Sequence, residues 1–128
     1  MSKIVSYKDL IVWQKGMDLA EMVYQFTAEY PKAELYSLTD QMRRAAVSIV
    51  SNIAEGKGRE SKLEYLHFLA IAQGSLTELE TQILLSIRLK YLAENEAVKP
   101  LSLCDEIGRM LNTMRTQLKA SSILKPNP

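Results

Sequence analysis

The sequence predicts an all-α protein, an antiparallel up-down four-helix bundle. Apolar residues recur at helical spacing through four segments, no segment alternates β-branched residues with period two, and the breaks between segments are short. Those breaks fall where proline, glycine and N-capping residues gather. A chain of 128 residues suits one domain, predicted over 1–121 with a flexible tail over 122–128.

The first helix is predicted from Ser6, where Ser6 and Asp9 form a capping-box-like pair, to about Glu29, before Tyr30-Pro31. It carries two apolar stripes. One is Leu10, Trp13, Met17, Ala20 and Tyr24; the other is Val12, Leu19, Val23, Phe26 and Tyr30. A helix on the outside of a monomeric bundle needs only one stripe.

The second helix starts near Ser37 or Thr39 and ends at Gly56-Lys57-Gly58, where Gly56 or Gly58 is expected to supply a left-handed cap. Met42, Ala45, Ala46, Ile49 and Ile53 form its apolar stripe. Beside it runs a polar stripe of Gln41, Arg44, Ser48, Asn52 and Glu55. A solvated face tends toward Lys and Glu, whereas Gln, Ser and Asn flanked by Arg and Glu suit a hydrogen-bonded network.

The third helix starts near Ser61, with Glu64 three residues on, and runs to about Tyr91. Its main stripe is Tyr65, Phe68, Leu69, Ala72, Leu76, Leu79, Ile83 and Ile87, with Leu66, Ala70 and Leu84 to one side. The fourth starts between Asn95 and Val98, takes Pro100 in its first turn and runs to about Ser121. Cys104, Ile107, Leu111, Met114 and Leu118 face inward.

One small core cannot hold all the apolar surface of the first and third helices. The excess predicts a subunit interface, with Val12, Leu19, Val23, Phe26, Leu66 and Leu84 as its candidate residues. The polar stripe needs partners if buried. The third helix offers Ser75, Glu78 and Gln82 on one side and Glu80 on the other, so Arg44–Glu78 or Arg44–Glu80 is the expected pair, supported by Ser48 and Asn52. Such a network would favour one helix register more than it adds stability.

The net charge of +1 lowers the expectation of a dedicated nucleic-acid binder and offers little resistance to self-association. Apolar runs are too short to cross a bilayer, so no membrane is expected; the single Cys104 and the absence of a secretion signal after Met1 favour the cytoplasm. His67 is the sole histidine, so neither metal nor cofactor is expected. Cys104 lies in an apolar stripe with no histidine to activate it. Glu55-Gly56-Lys57-Gly58-Arg59 lacks the phosphate-loop spacing and reads as a helix end. Arg43, Lys57, Arg59 and Lys62 are the best candidate nucleic-acid patch. A general base drawn from Glu55, Glu78 or Glu80 is the weaker, catalytic reading, and no enzyme is expected.

Several motifs together carry a resemblance that spans nearly the whole chain. They are Asp9-Leu10 with Val12-Trp13-Gln14, Tyr30-Pro31 leading to Glu34-Leu35-Tyr36-Ser37-Leu38, and Arg43-Arg44-Ala45 with Asn52-Ile53-Ala54-Glu55-Gly56. The third helix adds Gly74-Ser75-Leu76 and Glu78-Leu79-Glu80-Thr81. The chain resembles the 23S rRNA intervening-sequence protein family, apart from Ser37, where that family more often has Gly. The resemblance implies a cyclic homo-oligomer, typically a homopentamer, without enzymatic activity and with no established molecular function. A relative with a strongly basic surface binds nucleic acid, and the near-neutral charge here departs from it. The expected partners are therefore copies of itself, with RNA or DNA and an unidentified protein partner as alternatives.

Overall fold

The computed structural model describes residues 6–124, without the side chains of 122–124. Its four helices are α1 (Ile11–Thr27), α2 (Leu38–Lys57), α3 (Lys62–Arg88) and α4 (Glu94–Leu124), and no strand occurs among the described residues. Each helix packs on two others: α1 on α2 and α4, and α3 on α2 and α4.

Cross-helix contacts fix how these elements meet. Ser86 of α3 lies against Met42 of α2, Ser48 meets Ser75, and Gly56 packs under Tyr65 and Phe68. Gly16 of α1 lies against Val50 of α2, while Thr27 meets Arg43. Between α3 and α4, Leu76 meets Gly108, Gln73 meets Arg115 and Lys62 meets Ser121. In each of these pairs, residue numbers rise along one helix as they fall along the next.

The apolar stripes converge on one core. Leu19, Val23, Met42, Ile53, Leu69, Leu79, Ile83, Ile107 and Leu111 are each 0% exposed. Gly56 is required where α2 and α3 come together, since a Cβ there would lie 2.9 Å from Phe68 Cβ and 3.0 Å from Tyr65 Cδ1. That is closer than real Cβ contacts allow, so glycine sets the approach of the two helices.

The helix ends depart from expectation in four places. Ser6 and Asp9 do make a capping box, but around a 3-10 turn at Tyr7–Asp9; Leu10 then adopts an extended conformation and α1 begins at Ile11. Gly58 caps α2 in the right-handed region, and no described glycine has positive φ. The left-handed position falls instead on Lys90, at φ 64°, just past the end of α3, where Lys90 N–H donates to Ile87 and Tyr91 N–H to Ser86. Pro100 lies inside α4 rather than in its first turn, because the helix starts at Glu94. That helix also continues through Leu124, into the segment expected to be a tail; residues 1–5 and 125–128 lie outside the described residues. At the opposite end of α4 from Glu94, Leu10, Ile11 and Val12 sit beside Met110 and Met114, so the turns of α4 beyond them extend past the start of α1.

Candidate interaction surfaces

The polar stripe of α2 lies along its boundary with α3. Ser48 Oγ and Ser75 Oγ stand 2.8 Å apart, and Asn52 Nδ2 donates to Ser48 O at 2.8 Å and Ser48 Oγ at 3.0 Å. This half-buried tie is the part of the expected network that spans two helices. The expected buried pairing of Arg44 with Glu78 or Glu80 does not form. Arg44 is exposed and donates to Asp40, one turn back on its own helix, at 3.1 Å. Glu55 accepts from Arg59 at 3.1 Å, Glu78 accepts from Gln82 at 3.3 Å, and Gln41 is exposed. The reason is geometric: Arg44 and Glu55 lie farther round α2 from its core stripe than Ser48 and Asn52, and each side chain finds an i,i+4 partner in solvent.

The roles of the two stripes of α1 are the reverse of those expected. Val12, Leu19 and Val23 are 1%, 0% and 0% exposed, packed into the core of this one chain, and cannot also face a second copy. Phe26 is partly buried against the same core. The other stripe reaches the surface: Met17 and Tyr24 are 44% and 45% exposed, with Trp13 and Ala20 partly so. It borders the α2 flank of Arg43, Val47, Val50 and Ala54, on which Val47 is 43% exposed. Of the third-helix candidates, Leu84 is 50% exposed and Leu66 partly buried. They share the α3 flank that carries Gln73, whose side-chain oxygen accepts from Arg115 of α4 at 2.6 Å.

The four basic residues do not form one patch. Arg43 is held at the α1–α2 boundary, its Nε donating to Thr27 Oγ1 at 3.0 Å and its guanidinium 4.7 Å from the Tyr24 ring. Lys57, Arg59 and Lys62 gather at the α2–α3 turn. There Arg59 pairs with Glu55 and lies 4.9 Å from the Phe68 ring, and Lys62 Nζ donates to Ser121 Oγ at 2.6 Å.

An apolar groove of about 510 Å³ lies between the start of α1 and α4, lined by Leu10, Ile11, Val12, Met110 and Met114 with Asp9, Glu106 and Arg109 at its rim. Sequence reasoning placed Leu10 and Met114 in stripes and missed the groove; the 58% exposure of Ile11, an apolar residue between two stripes, is its trace. Beside it, Lys15 Nζ stands 2.6 Å from Glu106 and holds that carboxyl below its ordinary pKa. Burial, with Glu80 nearby, pushes the Cys104 thiol up to about 12, so it stays protonated and inert at neutral pH. The Tyr30 hydroxyl is buried without a partner in hydrogen-bond geometry, and burial raises its pKa. Among the described residues no group of three or more His, Cys, Asp or Glu is placed to hold a metal ion, and no helix is long and apolar enough to cross a membrane.

The family model described as 23S rRNA-intervening sequence protein matches residues 8–113. A crystal structure of a protein of unknown function from the S23 ribosomal protein family of Bacteroides thetaiotaomicron superposes with a TM-score of 0.74 at 23% identity, covering 82% of this chain and 98% of that one. At that identity the likeness concerns the fold. No match to a curated protein was found.

Proposed function

Because this chain belongs to the 23S rRNA-intervening sequence protein family, we propose that it is a non-enzymatic cytoplasmic scaffold or interaction protein, an antiparallel up-down bundle that assembles with copies of itself into a closed ring of about five. The observation that carries this reading is the exposed apolar seam of Met17, Tyr24 and Val47 along α1 and α2. A head-to-tail ring needs two different faces. The seam supplies one, and the α3 flank bearing Leu66 and Leu84 supplies the other.

Sedimentation equilibrium tests it. The wild-type chain should run as a small multiple of its 14.5 kDa mass at micromolar concentration. Met17→Glu and Val47→Glu should shift it to monomer while leaving the helical circular dichroism intact. A wild-type monomer at those concentrations would overturn the reading.

The cluster of Lys57, Arg59 and Lys62 at one turn supports a second reading, an RNA- or DNA-binding accessory protein whose weak patch is repeated around the ring. Affinity for RNA should then fall steeply with salt, because phosphate contacts release counterions. Failure to retain RNA at low salt would exclude it.

A further inference from the structure

The apolar groove between the start of α1 and α4 belongs to neither face assigned to the ring. Leu10, Ile11, Met110 and Met114 line its volume of about 510 Å³, and Ile11 is 58% exposed. The charges at its rim are already matched within the chain. Glu106 pairs with Lys15 at 2.6 Å, Arg109 with Asp105 at 3.0 Å, and Asp9 accepts from the backbone N–H of Ser6 at 3.2 Å. The groove therefore suits an occupant that brings apolar surface rather than charge.

The bond between Ser6 and Asp9 also locates that occupant. Asp9 lines the groove, and the Ser6 nitrogen that donates to it is the atom bonded to Val5. The chain before Ser6 reads Met1-Ser2-Lys3-Ile4-Val5, so two adjacent apolar side chains are attached at the rim. Three extended residues cover about 10 Å, which keeps Lys3, Ile4 and Val5 within reach of α4. The 3-10 turn at Tyr7–Asp9 packs on α1 and α2 and leaves the groove open.

We propose that the segment before Ser6 folds back over this groove in its own chain, with Ile4 and Val5 set against Ile11, Met110 and Met114. Attachment at the rim gives the segment an effective concentration in roughly the millimolar range, far above that of a separate chain in micromolar solution. That difference favours the chain's own segment over a second copy. Burial of two apolar side chains exceeds the cost of ordering two residues by only a small margin, so closure is reversible. While closed, the segment withholds an apolar patch from other chains.

Disulfide trapping in the full chain tests it, since the buried Cys104 does not compete. Lys3→Cys leaves Ile4 and Val5 in place. Paired with Thr113→Cys, an exposed position on the groove, it should form an intrachain disulfide under mild oxidation. Paired with Asn112→Cys, exposed on the flank of α4 that faces α3, it should do so about tenfold more slowly, because the tether is of similar length and only docking distinguishes the two positions. Adding Ile4→Glu and Val5→Glu should slow the Thr113 pairing about tenfold. The Asn112 pairing should keep its rate, which also shows that the bundle remains folded. Equal rates at the two positions, or no slowing by the glutamates, would overturn the proposal. So would a disulfide joining two chains, which would put a second copy in the groove.

Discussion

Two glycines in neighbouring helices behave oppositely because of what surrounds a single carbon. Gly56→Ala would place a Cβ within 2.9 Å of Phe68 Cβ, an atom tied to the backbone that cannot swing aside. It should cost about 1–3 kcal/mol in urea unfolding. Gly74→Ala meets no atom within the chain and should stabilise the isolated bundle by up to about 1 kcal/mol. Equal midpoints for the two variants would contradict the packing at Gly56. Charge at the residue scale also has a sign to check. Lys15 lowers the Glu106 carboxyl below its unfolded value, so the folded state gains stability above the ordinary glutamate range and loses it as pH falls through the depressed value. Glu106→Gln should therefore be less stable than wild type near neutrality, and the two urea midpoints should converge in acid. A gap that persists below the depressed value would point to packing rather than charge.

At the scale of elements, periodicity gave the four helices and their core stripes, because apolar spacing directly encodes which face is buried. It could not rank the two stripes of α1. Both have helical spacing, and in the packed bundle it is the stripe holding Val12, Leu19 and Val23 that turns inward, on the side where Gly16 lies against Val50. Nor could it say how far round α2 the core extends, which is why Arg44 reads as a buried partner yet pairs in solvent with Asp40. Helix ends were the least legible. The cap signal of Ser6 and Asp9 was present but served a separate turn, and the left-handed stop of α3 falls on a lysine. Lys90→Gly should remove that strain and raise stability by about 0.5–1 kcal/mol, read as a higher urea midpoint with unchanged slope. A lower midpoint would mean that the lysine side chain contributes more than its backbone costs.

For the whole molecule, four helices around a single shared core follow from four apolar stripes of helical spacing in one short chain. The surfaces do not follow in that way. Exposure is a property of the packed bundle, and the seam of Met17, Tyr24 and Val47 emerges only once α1 and α2 are set side by side. If that seam is covered by another copy, association and folding are linked, and the urea midpoint should climb as protein concentration rises from about 1 to about 100 micromolar. A midpoint independent of concentration over that range would mean that the folded unit is the single chain.

The reach of α4 past the start of α1 gives the molecule a slow side and a fast side in time. Amides near Ile107 and Leu111 lie beneath α1 and α3 and should exchange with deuterium only through global unfolding. Those from Arg115 onward are held mainly by the third helix, through contacts such as Lys62 with Ser121, and should open in local excursions long before the rest. A protease acting on those excursions would clip the last turns of α4 and leave the bundle standing.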